Sequence, residues 1–200
     1  MGRPRLHSDD AILDAARDAV LQGGARSATL NGIAKASRVP KGSVYHRYPS
    51  LNDLLAAMWM RAVRRAQTAF LDAVDQPDPL AAAVAGALSL HDFAKHHHAD
   101  ARLLTSLRRQ DLVNDVESGE LRRQLAQLNQ PIERAIADLA NRLYGSASTS
   151  NVERVLLAVV DIPLGAMRRH LIAGSSLPGS LRGQLEAAVR AAVLDQDAAS

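Results

Sequence analysis

Residues 29–48 read TLNGIAKASRVPKGSVYHRY. Thr29 is placed to cap a helix, its hydroxyl accepting from an N–H two or three residues on, and Ile33 and Ala34 give that helix a small apolar face. The pattern breaks over Arg38 to Pro40. Pro40 suits the first turn of a second helix, where a missing N–H costs nothing, and that helix carries Lys41, Gly42, Ser43, Val44, Tyr45, His46 and Arg47. Pro49 ends it.

Two helices this short, joined by so tight a turn, have the form of a helix-turn-helix, whose second helix enters the DNA major groove. Charge is distributed to suit such a partner. The net charge is only +3, yet residues 1–50 hold eight Lys+Arg against four acids, and no acidic residue lies between Asp18 and Asp53. The stretch is therefore free of like-charge repulsion against phosphate. Ahead of it, Arg3, Pro4 and Arg5 read as a short extended arm of the kind that lies in a minor groove. Ser8 or Asp9 then caps a helix through Ile12, Leu13, Ala16, Ala19 and Val20, which Gly23 and Gly24 end.

The rest of the chain is expected to be helical. Ala and Leu abound while aromatic residues make up 3%, a balance that favours helices over sheets. An all-α fold of about nine helices is predicted, with 200 residues and 47% apolar content ample for a core. With no cysteine, disulfides and thiolate metal sites are excluded. No apolar run approaches the roughly 20 residues that cross a bilayer, and MGRPRLHSDD lacks a signal peptide's apolar core, so a soluble cytoplasmic protein with no membrane partner is expected. Neither a Gly-rich phosphate loop nor a nucleophile elbow is present, and no cofactor or catalytic residue is implied.

Ser50 caps a long helix over 51–74, with Asp53 near its positive end and Leu54, Leu55, Met58, Ala62, Ala66 and Phe70 as its buried stripe. Further helices are predicted over 80–97, 99–107, 117–144, 152–173 and 177–194. Val155, Leu156, Val159, Val160, Ile162, Leu164 and Met167 surround much of the helix over 152–173, which needs partners on more than one side and which Pro163 should bend. The final helix shows a stripe of Leu181, Leu185, Ala188, Ala192 and Val193. One protomer could bury both helices, or two copies could pair them in a four-helix bundle.

Together these features resemble the TetR family of bacterial transcription regulators. The likeness is densest over residues 2–55, where GRPR, Ile12 to Ala16, Gly24, Thr29, Ile33, Ala34, Val39, Lys41, Gly42, Val44, Tyr45, Leu54 and Leu55 follow the family's order and spacing. The resemblance implies a DNA-binding domain over 1–49 and an effector-binding and dimerisation domain over 50–200. It implies a homodimer through the last two helices, released from a palindromic operator by a small-molecule effector and acting as a repressor of a nearby gene. Thr29, Tyr45 and Arg47 would approach phosphates, while Lys41, Ser43 and His46 face the groove. Gly42 lets backbone approach closely, and Asn31, one turn into the preceding helix, reaches for a base. The sequence departs from the family at four places. Arg38 stands where Gly is usual, Pro40 replaces a Ser or Thr, Arg47 a His, and Leu51 a Lys that commonly contacts the backbone. Leu51 and Arg38 keep open a second reading, a ligand-binding or interaction module with weak or lost DNA binding.

Polar and aromatic residues on the middle helices nominate Trp59, His91, Phe93, Thr105, Arg108 and Met167 for an effector pocket whose lining is otherwise aliphatic. The run His96, His97, His98 reads as a helix-to-helix turn, since consecutive helical residues point about 100° apart and seldom converge on one ion. No metal is expected.

Overall fold

The computed structural model describes residues 5–107 and 116–195, and every regular element among them is helical. These residues form two compact units: Met1–Val63 with Ala99–Leu128, and Arg64–His98 with Asn129–Ser200.

The first unit holds α1 (Arg5–Gly23), a 3₁₀ turn (Ala25–Ser27), α2 (Leu30–Ser37), α3 (Lys41–Arg47), the first part of α4 (Leu51–Val74), most of α6 (His98–Ser106) and α7 (Gly119–Gln127). Its core joins Ile12, Ala16 and Val20 of α1 to Ile33 of α2, Val44 of α3, Leu54 and Met58 of α4 and Leu103 of α6. Helix α1 starts earlier than expected. Arg5 is its first residue, so it is not part of an extended arm, and neither Ser8 nor Asp9 is the cap. Nothing between Pro4 and Gly23 breaks a helix, so the 3.6-residue pattern runs back to the proline. Arg3 lies outside the described residues.

Polar ties reinforce this core. Arg61 of α4 reaches Asp10 (2.8 Å) and Asp14 (2.6 Å) of α1, while Arg17 of α1 pairs with Asp14 and with the buried Asp100 of α6, both at 3.0 Å. Burial works against the Arg17 guanidinium, but its hydrogen bonds to Asp100 and Asp18 hold its pKa above the ordinary value. At the start of α4, Ser50 Oγ accepts from the Asp53 amide at 3.1 Å, as a cap should. The fully buried Asp53 carboxylate in turn accepts from the amides of Glu117 (3.2 Å) and Ser118 (3.0 Å), which lead into α7.

The second unit holds the rest of α4, α5 (Pro79–His96), α8 (Gln130–Tyr144), α9 (Thr149–Leu156), a π turn (Leu157–Asp161), α10 (Ile162–Ala173) and α11 (Leu181–Leu194). Asp78 caps α5, accepting from Leu80 and Ala81 at 3.2 Å each, with Pro79 in its first turn. Gly86 sets the spacing of α4 and α5, because a Cβ there would stand 2.7 Å from Val74 Cγ1 and 3.0 Å from the Phe70 ring.

Three further elements differ from expectation. The single helix over 117–144 is two, α7 and α8, because Pro131 lacks the N–H that would carry the ladder across and starts a new helix instead. The helix over 152–173 begins at Thr149, capped by Ser148, and absorbs Pro163 by widening into the π turn that precedes it. The last helix begins at Leu181, past Pro178 and Gly179, and buries Leu181, Leu185, Val189 and Val193 at a spacing of four; Ala188 is exposed. Taking α7 with α8 and α9 with α10 as interrupted single helices gives nine among the described residues. No described helix is long and apolar enough to cross a membrane.

Candidate nucleic-acid interface

Helix α2 starts as its sequence dictates, with Thr29 Oγ1 accepting from the Gly32 amide at 3.1 Å. It stops at Arg38, whose backbone is left-handed (φ 56°, ψ 25°). A side chain in that conformation costs about 1–2 kcal/mol, and glycine returns about half of the relief through its looser unfolded state. Arg38→Gly should therefore raise the unfolding free energy by about 0.5–1 kcal/mol in urea melts; an unchanged or lowered midpoint would show that the turn carries no strain.

Past the turn, Val44 is fully buried against the core and fixes the rotation of α3. The opposite face is thereby turned to solvent. Lys41, Gly42, Tyr45 and His46 are exposed and Ser43 is half-buried. Tyr45 Oη donates to Asn31 Oδ1 of α2 at 3.2 Å, and Lys41 Nζ stands 5.4 Å from the Tyr45 ring centroid. The ring is thus held between a cation and an amide, which keeps Lys41, Tyr45 and Asn31 together on one surface. Nothing lies within 4 Å of a Cβ built on Gly42, so the protein's own packing does not demand a glycine there.

Arg47 is placed differently. Its guanidinium pairs with Asp9 of α1 at 2.9 Å and its side chain is three-quarters covered, so it ties α3 to α1. Beside it, burial, reinforced by Asp9, pushes the Tyr48 phenol up to about 12. The unfolded chain releases this proton near pH 10, before the folded one does, so Tyr48 favours the fold below pH 10 and loses that contribution as pH rises toward 12. Melts over this window should show falling stability in the native protein and a shallower fall in Tyr48→Phe, to which Tyr144, whose phenol burial also raises, contributes. An equal fall in both would remove Tyr48 as a source.

A short capped helix, a tight turn and an exposed second helix with cation, amide and phenol together have the form of a helix-turn-helix. Residues 12–58 match the family model for bacterial regulatory proteins of the tetR family. Over this N-terminal segment the chain is similar to the TetR family. No curated protein matches the sequence. Among solved structures, the TetR fold here is similar to PfmR from Thermus thermophilus (TM-score 0.68, 14% identity, 91% of this chain and 96% of that one). It is similar also to the ketosteroid transcriptional regulator KstR2 of Mycobacterium tuberculosis (0.69, 17%, 95% of each). A third is the regulator FadR from Bacillus subtilis in complex with stearoyl-CoA (0.70, 12%, 92% and 97%). At these identities the likeness is one of fold.

Of the six residues nominated for an effector pocket, five lie among the described residues, two in the first unit and three in the second. Trp59 is buried in the first unit, its indole N–H donating to the Leu107 carbonyl at 3.0 Å, and Thr105 Oγ1 there donates to the Ala101 carbonyl at 2.9 Å. His91, Phe93 and Met167 are buried in the second unit, and of these His91 lines a cavity there. Arg108 lies outside the described residues. The His96–His98 run fans out: His96 Nδ1 meets the Asp92 carbonyl at 2.8 Å, the His97 ring lies 5.3 Å from that of Phe93, and His98 Nε2 meets the Ser175 carbonyl at 3.2 Å. Sequence reading missed Asp53 and Arg61 as organising residues. Each has partners about fifty or more positions away, and local periodicity carries no sign of them.

Proposed function

We propose that this protein is a cytoplasmic, non-enzymatic TetR-family repressor of a nearby gene, bound as a homodimer to a palindromic operator and released by a small-molecule effector. Residues 1–49 read DNA in this scheme, and 50–200 sense the effector and dimerise. The outward face of α3 carries the reading: Lys41 and Tyr45 stand exposed beside Asn31 in a stretch with no carboxylate from 19 to 52. Lys41, Ser43 and His46 face base edges, Thr29 and Tyr45 approach phosphate, and Arg3 and Arg5 lie toward the minor groove. Arg47 acts through α3, holding it on Asp9. Two half-sites one helical turn apart ask for recognition helices about 34–36 Å apart. An effector that binds the non-operator spacing better shifts the dimer off DNA.

Leu157 (50% exposed), Leu164 (47%) and Ile172 (57%) support pairing through the last helices, since large apolar side chains in water, recurring about every second turn, favour a partner. The competing reading, a module that has lost DNA binding, draws on Arg47, whose charge Asp9 takes up, and on Leu51 in place of a cation.

Fluorescence anisotropy with DNA flanking the protein's own gene separates the two. Tight, salt-dependent binding of a dimer is expected. A confirmed dimer that fails to bind even at low salt would establish the module reading instead. Gly42→Ala adds a sharper check. It should stabilise the fold by about 0.5–1 kcal/mol, as alanine does in a helix, yet weaken operator binding about tenfold by placing a methyl where DNA approaches. Binding as tight as native would mean that no DNA backbone or base comes close at Gly42.

A further inference from the structure

The cavity beside His91 lies within the second unit, between the end of α5 and the loop that joins α10 to α11. Its volume is about 340 Å³, enough for a small metabolite. Four nitrogen-bearing side chains line it: His91 and Lys95, one turn apart on α5, His98 at the start of α6, and Arg182 in the first turn of α11. Leu177 and Pro178 supply an apolar wall. The single acid at these residues, Asp92, is shared between His91 Nδ1 (3.0 Å) and Arg182 Nε (3.6 Å). Lys95 is exposed and has no carboxylate partner among the described residues. The site therefore keeps an excess of positive charge.

The imidazoles add a second requirement. A ring nitrogen facing a carboxylate or carbonyl oxygen must carry the proton, so His91 donates from Nδ1 to Asp92 and His98 from Nε2 to the Ser175 carbonyl. In its neutral form each ring then has one further nitrogen able to accept a hydrogen bond. Two cations with two imidazole acceptors match a molecule that pairs an anionic group with hydroxyl donors. We propose that this cavity binds a small hydroxylated anion, its carboxylate or phosphate held by Lys95 and Arg182 and its hydroxyls donating to His91 and His98. The proposal concerns a site apart from the DNA-reading face and stands independently of the repressor reading.

Calorimetric titration of the full chain without DNA tests it, using D-gluconate as carboxylate, D-ribose 5-phosphate as phosphate, and sodium chloride at matched ionic strength. Saturable binding of at least one sugar anion, absent with chloride, is expected; which one binds identifies the source of the charge. Lys95→Ala and Arg182→Ala alter exposed side chains and should leave the helical circular dichroism intact while weakening that binding at least about tenfold each. Ring-proton NMR shifts of His91 and His98 should follow the same titration. No saturable binding by either probe would overturn the proposal, as would variants that bind like the native chain. DNA binding is measured separately, so either failure leaves the regulatory reading untouched.

Discussion

Lys41→Ala combined with Tyr45→Phe should lower operator affinity roughly a hundredfold, with the dimer and its melting temperature unchanged. The magnitude follows from two lost contacts of about 1–2 kcal/mol each, the usual range for one base-edge or phosphate hydrogen bond at a protein–DNA interface. Both side chains are exposed, so neither substitution opens the core, which Val44 anchors from the other side of α3. The phenylalanine keeps the ring and removes only the hydroxyl that donates to Asn31 at 3.2 Å. Losing Lys41 also removes a cation from the salt dependence, so the slope of log K against log salt should shrink by about one. Anisotropy titrations at three salt concentrations, with sedimentation to confirm the dimer, measure all of this. Native affinity and slope in the double variant would refute α3 as the recognition helix.

How far the fold was legible depended on the range of the interactions that make it. Thr29, Ser50 and the glycines at the end of α1 are legible because a cap or a helix stop is settled within four residues. The left-handed backbone at Arg38 was legible only through the resemblance, whose usual Gly at that position is the residue such a conformation favours. Pro131 and Pro163 look alike in sequence, yet one splits a helix and the other is absorbed by a π turn. Packing around each decides which, and local sequence does not carry that. Arg47 shows the same limit at the candidate site. Its place on α3 is read from sequence, but its ion pair with Asp9, thirty-eight residues earlier, is not. The cavity beside His91 was the least legible part, because Arg182 meets His91 and Lys95 only once α11 has docked beside α5.

Asp53→Ala should cost about 2–4 kcal/mol, the largest stability loss expected from any polar substitution in the first unit. At the sequence level Asp53 is a helix-dipole residue, and an exposed carboxylate at that position contributes only about 0.3–1 kcal/mol. The structure gives it a larger task. Its side chain is fully buried, and Oδ1 accepts from two successive backbone amides, Glu117 and Ser118, so a carboxylate in the first turn of α4 holds the segment that leads into α7. Alanine takes the acceptor from both part-buried amides and leaves a small void at a fully buried position, and each donor left without a partner costs about 1–3 kcal/mol. Asp53→Asn keeps an acceptor of the same shape but loses the charge, so it should recover about half of the loss. Ser50→Ala removes only the cap on the Asp53 amide and should cost about 1 kcal/mol. Urea denaturation in which Asp53→Ala costs most, Asp53→Asn less and Ser50→Ala least would assign Asp53 the role of a bridge between helices. Equal small losses in all three variants would reduce it to a surface charge on the dipole of α4, and the packing of α7 would then need another anchor.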